Sequence, residues 1–396
     1  MLIGVDASRA FIKDKTGIEE YSYQAIKNLM DKLQNHKVIL YVRKNQESEI
    51  KNQEFPENWS IKVIKWPYLW TQIGLSLEIL FHSVDVLFVP AHTVPIVHPK
   101  NTIVTIHGLE YEFCPKAYSF WERIYMRFSI KNSCRWAKKI IAVSENTKKD
   151  LMTLYKTPEE KISVIYEGID IAVILNEVKN PSVSNANSAL TARDPSRGAR
   201  DDAKPYLLFV GRLEERKNIY GIIEAFEMLK EKYRIPHKLV LAGKAGYNFE
   251  KIRCRLRVSG YNQEIILKGF VSEEEKYSLF KDAEVFLFPS FYEGFGLPIL
   301  EAQSAGAPVV TSNVSSMPEI VKPPLLSGED AQRAGEGDNC SAVLVNPNNP
   351  EEIAEAAYKL ISDNKFRNEI VKKGFENAKR FSWEKCAEEI ADLLKK

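Results

Sequence analysis

Residues 289–301 read P-S-F-Y-E-G-F-G-L-P-I-L-E, and the fold of the second half of the chain follows from this stretch. The apolar run 285–288 precedes it and the periodic segment 297–305 follows it. This order predicts a β-strand, a glycine turn and the start of an α-helix. We expect Glu293 on the turn and Glu301 about two turns into the helix.

The glycine turn brings hydrogen-bond acceptors and donors together. Gly296 lets a ligand approach the backbone, and the N–H groups of Phe295, Gly296 and Leu297 would point out of the helix N-terminus. With the carboxylates of Glu293 and Glu301, these donors suit a polyhydroxylated ligand that carries phosphate. The alternative interpretation is that Glu293 caps the helix and Glu301 is solvated.

The composition is that of a two-domain α/β protein. The 396 residues exceed one ordinary core, and 44% hydrophobic side chains can fill two. The 55 basic and 53 acidic side chains leave a formal net charge of +2. Because this balance gives no strong overall field, we expect no nucleic-acid partner.

The N-terminus and the cysteines predict a cytoplasmic location. No secretory signal is visible, and no apolar run reaches about 18 residues. The five cysteines are scattered without a C-x-x-C pair, which argues against disulfides and a zinc site. We expect no metal ion, and we leave open a peripheral contact with the inner face of the membrane.

Apolar runs alternate with helical patterns in two parts of the chain, which predicts two mostly parallel, doubly wound α/β sheets. The runs of the first part are residues 2–5, 38–42, 61–64, 84–89, 103–106, 140–143 and 161–165. Those of the second part are residues 206–210, 239–242, 265–267, 285–288, 309–311 and 343–345. Ligands of such sheets gather at the carboxyl ends of the strands.

The domain boundaries follow from the same alternation. We expect Rossmann-like domains at residues 1–172 and 206–380. Residues 173–205 are rich in Ser, Asn, Ala, Arg, Asp and Pro, which predicts a flexible linker or insertion. We also expect a polar surface insertion at residues 323–340 and, at residues 381–396, a helix that can pack back on the N-terminal domain.

Residues 111–139 combine eight aromatic with seven basic side chains. Such a helix can lie on an anionic lipid surface. Equally, the aromatic side chains can pack inward and leave a solvated basic face. Both interpretations stay open, and a nucleic-acid contact is a weaker third.

After the first strand of the second domain, the sequence reads G-R-L-E-E-R-K-N from Gly211 onward. Gly211 permits a turn, while Arg212 offers a planar fork and Lys217 a point charge to a pyrophosphate. The alternative is that both cations are solvated. Phe270 and Val271, which follow another strand, offer backbone groups that could read a nucleobase edge.

Taken together, the pattern resembles the family-four retaining glycosyltransferases of GT-B architecture. Glu293 and Glu301 match the E-x7-E motif of that family. Gly211, Arg212 and Lys217 match its G-R-[LF]…K motif. The resemblance covers nearly the whole chain apart from the two polar segments.

Weaker motifs of the first domain agree with this resemblance. Gly17 lies in a glycine loop and His107 in a histidine turn similar to those of the family. Glu167 stands directly before Gly168, where the family commonly carries Asn. By the resemblance, Gly17 would admit the donor phosphates and His107 would contact the donor sugar. For His107 the alternative is a satisfied histidine at a strand end.

The resemblance also implies roles in the second domain. Arg212 and Lys217 would neutralise the departing diphosphate, and Glu301 would bind the ribose hydroxyls. Glu293 would hold the transferred sugar together with the N–H groups of the helix start. The donor site would also include Gly211 of the G-R-L turn and, at the nucleobase, Phe270 and Val271.

The implied fold is GT-B, in which an acceptor-side domain and a nucleotide-sugar-binding domain face across a cleft. The implied reaction moves a hexose (mannose, glucose or N-acetylglucosamine) with retention from a GDP- or UDP-linked donor to a hydroxyl of a glycan or lipid-linked acceptor. No metal is expected, because the cations and helix N-termini can carry the leaving charge.

Other functions are weighed against this one. Neither G-x-G-x-x-G nor G-x-x-x-x-G-K-[ST] occurs, which disfavours a dehydrogenase and a P-loop enzyme. A catalytically silent GT-B protein that binds a nucleotide sugar or tethers partners at a membrane is one alternative. A nucleotide-sugar epimerase of GT-B type is the other.

Overall fold

The computed structural model describes residues 1–13, 15–169, 205–322 and 340–396. It divides into two compact units. The first contains Met1–Glu112, Ser119–Gly168 and Phe381–Lys396, and the second contains Phe113–Tyr118 and Ile169–Arg380. The predicted linker and surface insertion lie outside the described residues, apart from residues 205 and 340.

The first unit is built on a parallel sheet. Its strands are β1 Leu2–Asp6, β2 Lys37–Arg43, β3 Trp59–Ile64, β4 Val86–Val89, β5 Thr102–Ile106, β6 Lys139–Ala142 and β7 Ile162–Val164. Among the described residues the strand order is β3-β2-β1-β4-β5-β6-β7. Ile3 of β1 pairs with Val38 on one side and Val86 on the other.

The second unit is built on another parallel sheet. Its strands are β8 Tyr206–Val210, β9 Lys238–Ala242, β10 Ile265–Gly269, β11 Val285–Phe288, β12 Val309–Ser312 and β13 Val343–Val345. Their order in the described part of the chain is β10-β9-β8-β11-β12-β13. Phe286 pairs with Leu208 and with Val309, in register on both sides.

Helices connect the strands. In the described residues they are α1 Gly17–Lys32, α2 Glu47–Lys51, α3 Ser76–Phe81, α4 Glu110–Phe113, α5 Phe120–Trp136, α6 Glu145–Tyr155, α7 Ile219–Tyr233, α8 Phe249–Val258, α9 Glu273–Asp282, α10 Leu297–Ser304, α11 Met317–Val321, α12 Pro350–Ser362, α13 Asn364–Ala378 and α14 Trp383–Leu394. None of these described helices combines the length and the apolarity that crossing a lipid bilayer requires.

The interior strands of both sheets are buried on their two faces, as in parallel sheets that helices cover on both sides, whereas the edge strands β3 and β10 are largely exposed. Every residue of β4, β5, β11 and β12 is buried. Each apolar run that the sequence analysis assigns to a strand forms one, with ends that differ by a few residues. The predicted doubly wound α/β architecture is therefore confirmed.

The C-terminal helix belongs to the first unit, where α14 packs against α1. The Trp383 ring lies edge-on to the Tyr21 ring at 5.9 Å, and Lys32 pairs with Glu384 at 3.3 Å. The contact with the end of the first unit is tight, since a Cβ on Gly168 would lie 2.1 Å from the Trp383 nitrogen. Position 168 therefore excludes a side chain.

Replacing Gly168 with alanine should lower the thermal unfolding midpoint. The added Cβ would overlap the Trp383 backbone and displace α14 from α1, at a cost of about 1–3 kcal/mol. Gly260→Ala is the matched control, because a Cβ there meets no atom within 4 Å. Calorimetry of both variants measures the difference, and equal midpoints would contradict the tight contact.

Candidate functional site

The turn between β11 and α10 has the order of elements that its sequence predicts. Gly296 is the N-cap of α10 with φ +125°, a backbone region that favours glycine, and no side chain caps the helix. Glu293 is therefore not a helix cap. Glu301 lies about one turn after Leu297, the first helical residue, so the expected depth of two turns is wrong.

Glu293 lies in a buried ion-pair network and is 7% exposed. Its Oε1 accepts from Lys217 Nζ at 2.5 Å, and its Oε2 accepts from Arg216 Nη1 at 3.1 Å. Arg216 also donates to Glu214 at 2.8 Å and to the Tyr292 carbonyl oxygen at 2.9 Å. Burial alone would raise the pKa of Glu293, but the charges of Lys217 and Arg216 lower it below its ordinary value. The carboxylate is therefore charged at neutral pH.

Two serines hold the backbone of this turn. Ser315 Oγ donates to the Glu293 carbonyl oxygen at 2.7 Å and accepts from the Glu293 N–H at 3.2 Å. Ser316 Oγ lies 3.0 Å from the same carbonyl oxygen and 2.5 Å from that of Phe295. Because these bonds fix the main chain on both sides of the Glu293 side chain, the carboxylate is held in one position.

The loop after β8 packs closely against its neighbours. Gly211 has φ +151°, and a Cβ on Gly243 would lie 1.9 Å from the Gly211 carbonyl oxygen. The residues that follow β8 and β9 are therefore in direct main-chain contact. Asn218, the N-cap of α7, donates from Nδ2 to the Pro289 carbonyl oxygen at 3.1 Å. This bond ties the G-R-L loop to the start of the Glu293 turn.

The two cations of the G-R-L…K motif have different surroundings. Lys217 is 8% exposed and already paired with Glu293. Arg212 is exposed, and among the described residues no carboxylate lies within ion-pair distance of its guanidinium. Of the two cations of the motif, Lys217 therefore forms an ion pair with Glu293, whereas Arg212 forms none within the described part of the chain.

Glu301 is also paired. It accepts from Lys276 Nζ at 2.8 Å, with the Glu301 side chain 27% exposed. Lys276, on α9, also pairs with Glu273 at 2.7 Å. Burial opposes the charge of Lys276, but the two carboxylates raise its pKa above the ordinary value. A carboxylate oxygen has two lone pairs, so Glu301 can accept a ligand hydroxyl as well.

The end of β10 presents an aromatic ring. Phe270 is 53% exposed, and Lys244 Nζ lies 4.5 Å from the centre of its ring. Val271 is buried. Of the two residues predicted at the nucleobase, the structure thus exposes the Phe270 ring and buries the Val271 side chain, which leaves backbone groups at position 271.

Gly17 and His107 belong to the first unit. Gly17 is the first residue of α1, and a Cβ there would meet nothing within 4 Å. His107 follows β5 and is 9% exposed. Its Nδ1 lies 3.0 Å from Glu167 Oε1 and its Nε2 lies 2.8 Å from the Pro90 carbonyl oxygen. In this arrangement neither ring nitrogen is free for a ligand, as in the alternative interpretation of this histidine.

Within the second unit, the structure joins Glu293 directly to Lys217 and places Glu301 on the helix that follows. Sequence reasoning assigned no role to the side chains that build this network, namely Glu214, Arg216, Asn218, Ser315 and Ser316. The charged run E-E-R-K gives a signal for Arg216. Among the described residues, no group of three or more His, Cys, Asp and Glu side chains is placed to hold a metal ion.

Two family models match the chain. The model described as Glycosyltransferase Family 4 matches residues 15–173, and the model described as Glycosyl transferases group 1 matches residues 192–377. Together they span most of both units. The E-x7-E and G-R-L…K loops lie within the second match.

Individual proteins are similar as well. O-antigen chain mannosyltransferase B of Escherichia coli is 28% identical over 75% of this chain and 70% of that protein. An uncharacterized glycosyltransferase of Methanocaldococcus jannaschii is 31% identical over 74% of this chain and 68% of that protein. The Anabaena protein HepE, solved with UDP and glucose, superposes with a TM-score of 0.70 at 17% identity, covering 100% of this chain and 99% of HepE. This last likeness shows the fold, which is GT-B.

Replacing Glu293 with glutamine should destabilise the second unit, because the buried Lys217 would lose its carboxylate while Arg216 would keep only Glu214. The expected loss in free energy of unfolding is about 3–5 kcal/mol at neutral pH. Since folding lowers the pKa of Glu293, its stabilisation is complete above a pH of about 4.3 and is lost as the pH falls through the folded value. The difference from wild type should therefore shrink below a pH of about 4, which urea unfolding at several pH values measures.

Glu250→Gln is the matched control for this experiment. Glu250 pairs with Arg253 at 2.6 Å, but its side chain is 69% exposed. An exposed pair contributes about 0–1 kcal/mol, so this variant should unfold nearly as wild type does. Equal losses for the two variants would contradict a special role for the buried network.

Proposed function

The chain belongs to glycosyltransferase family 4, and on that premise we propose that it is a retaining hexosyltransferase. Its donor is a nucleoside-diphosphate sugar, and its acceptor is a hydroxyl of a glycan or a lipid-linked saccharide. One observation carries the proposal: the Glu293 carboxylate is fixed between Lys217 and Arg216, next to the N-terminus of α10.

The positive charge at this site suits a departing diphosphate. Arg212, which has no carboxylate beside it in the described structure, supplies a planar fork for phosphate oxygens. Lys217 supplies a point charge that it shares with Glu293, and the first N–H groups of α10 have no intrahelical acceptor. Since these groups can carry the leaving charge, the proposal includes no metal and no cofactor besides the donor itself.

The acidic side chains suit hydroxyl groups. Both oxygens of Glu293 already accept from cations, but each keeps a lone pair that a sugar hydroxyl can use. In the same way, Glu301 would accept from the ribose hydroxyls, and the exposed Phe270 ring would stack on the base. In the first unit, the open space at Gly17 leaves room for phosphate oxygens near the start of α1.

The proposed reaction breaks the bond between the anomeric carbon and the diphosphate oxygen. A bond from the acceptor oxygen to the same carbon forms on the same face, through an oxocarbenium-like transition state. The acceptor proton passes to the departing phosphate oxygen, so no side chain serves as the base. Arg212 and Lys217 stabilise the negative charge that develops on that oxygen.

The comparisons support a choice of sugar. Because a relative at 28% identity is named a mannosyltransferase, we propose mannose before glucose and N-acetylglucosamine, and a glycan before other acceptors. HepE is described in complex with UDP-glucose, which supports a nucleoside-diphosphate sugar as the class of donor. GDP-mannose is therefore the first donor to test, and UDP-glucose the second.

Wild-type protein given GDP-mannose and a mannose-containing acceptor should release GDP only when the acceptor is present. Arg212→Ala should lower kcat by about 10²-fold to 10³-fold, because it removes a charge aimed at the leaving group. Lys372→Ala, which removes an exposed cation on α13, is the control and should turn over as wild type does. Chromatography of the nucleotide products measures the rates.

The same assay separates the alternatives, with UDP-glucose and UDP-N-acetylglucosamine as further donors. A change of donor configuration without acceptor would indicate an epimerase. Donor binding by calorimetry without any turnover would indicate a catalytically silent protein. Either result, or full activity of Arg212→Ala, would reject the proposed transfer mechanism.

We also propose a peripheral contact between α5 and an anionic membrane. The exposed side of α5 includes five apolar side chains that are 45% to 76% exposed: Phe120, Trp121, Ile124, Tyr125 and Phe128. Exposed Lys131 and Arg135 lie on the same helix, whereas Ile130 and Cys134 face the core. The alternative that the aromatic side chains pack inward thus fails for this face, and apolar and basic groups side by side suit lipid.

The protein should sediment with vesicles of phosphatidylglycerol and phosphatidylcholine at about 0.01 M salt and much less at about 1 M, where charges are screened. The double variant Trp121→Ser, Phe128→Ser should lose this association. Val258→Ser removes a side chain of the second unit that is 78% exposed, and serves as the control. No sedimentation at low salt, or equal binding of the double variant, would reject the contact.

A further inference from the structure

The second unit contains an open cleft of about 540 Å³, away from the side chains assigned to the donor. Three tyrosines, two lysines, one glutamate and one asparagine line it. All seven belong to the second unit, including those of the segment Phe113–Tyr118, whose Phe113 ring stacks on the Tyr292 ring at 4.7 Å. The volume lies within the range of about 300–1,000 Å³ that is typical of small-ligand sites.

The tyrosines of the cleft come from three separate segments. Tyr118 follows the turn Pro115–Ala117, Tyr220 lies in the first turn of α7, and Tyr247 stands directly before the N-cap of α8. The Tyr247 side chain is 43% exposed. A tyrosine ring has an apolar face and a polar hydroxyl at its edge. Such rings suit a sugar, which has apolar C–H faces and a rim of hydroxyl groups.

The polar side chains of the cleft are available to a ligand. Lys116, Glu215 and Lys251 form no ion pair with any residue that the structure describes. Asn248 is the N-cap of α8, but its side chain forms no capping hydrogen bond. The cleft therefore offers both hydrogen-bond donors and acceptors. Because the unpaired Glu215 carboxylate repels anions, these groups suit the hydroxyls of a neutral saccharide better than a phosphate.

The cleft adjoins the loop that carries Arg212. The Leu213 N–H donates to the Lys244 carbonyl oxygen at 2.9 Å, and the Gly246 N–H donates to the Leu213 carbonyl oxygen at 3.0 Å. A Cβ on Gly246 would lie 2.9 Å from Cγ of Arg212. Tyr247 directly follows Gly246, so one wall of the cleft is joined to the G-R-L loop by main-chain hydrogen bonds.

We propose that this cleft binds a saccharide unit of the acceptor glycan, remote from the hydroxyl that receives the sugar. The inference rests on the proposed function, because it adds a second subsite for the same acceptor. The Tyr247 ring packs against the face of one sugar, while Asn248 and Glu215 hydrogen-bond to its hydroxyls. A glycan long enough to reach the cleft therefore binds more tightly than a single sugar.

Calorimetric titration of the full chain with an α-linked mannose tetrasaccharide, in the absence of a donor, tests the cleft. Wild type should bind the tetrasaccharide with a lower Kd than mannose. Tyr247→Ala, which removes the aromatic face, should raise the Kd of the tetrasaccharide about threefold to tenfold. Asn248→Gly should have an effect of similar size, because glycine keeps the backbone at φ +58° and only the amide is lost.

Tyr277→Ala is the matched control. Tyr277 is a half-buried tyrosine on α9 that does not line the cleft, so this variant should bind the tetrasaccharide as wild type does. No binding of the tetrasaccharide by wild type, or the same Kd for wild type and both cleft variants, would overturn the inference. A loss of affinity for GDP in Tyr247→Ala would also overturn it, since the cleft would then belong to the donor.

Kinetics separate failure of this inference from failure of the proposed function. With GDP-mannose as donor, Tyr247→Ala should raise KM for the tetrasaccharide and leave KM for the donor unchanged. If wild type transfers no sugar from any of the three donors, the proposed function fails, while calorimetry still decides whether the cleft binds a glycan. If wild type is active and both cleft variants have its KM for the tetrasaccharide, the proposed function stands and the subsite is rejected. Melting curves of the variants separate a loss of fold from a loss of binding.

Discussion

The buried pairing of Glu293 with Lys217 and Arg216 is the interaction on which the site of the second unit depends. Burial alone would raise the pKa of a lone carboxylate at this depth and lowers the pKa of Lys217, whereas the guanidinium of Arg216 stays charged. The pairing holds one acidic and two basic groups together, largely shielded from water, next to a helix start. Such an arrangement suits hydroxyl and phosphate oxygens, because its charges do not have to reorganise when a ligand arrives.

The first unit contains another buried contact between a basic and an acidic residue at a strand end. At the end of β5 the base is His107 and the acid is Glu167, again buried and again in direct contact. In both units a side chain from a separate segment of the chain holds the residue at the strand end in place.

The strands of both sheets could be predicted from the sequence, because a parallel strand that is buried on two faces appears in the sequence as a continuous apolar run. The turn before Leu297 was predictable for a similar reason, since glycine and proline mark it. What the sequence could not show was pairing across distance, such as that of Ser315 with Glu293. It also could not show which side of α5 faces the core, because helical periodicity defines two faces without saying which one is covered.

The backbone contact between the loops after β8 and β9 has a mechanical consequence. Gly243 donates its N–H to the Gly269 carbonyl oxygen at 2.7 Å, while its own Cα lies against Gly211. Main chain alone therefore links the residue before Phe270 to the residue before Arg212. Under the proposed function, the loop that carries the aromatic ring for the base and the loop that carries the guanidinium for the phosphates are thus connected through Gly243 by main-chain contacts.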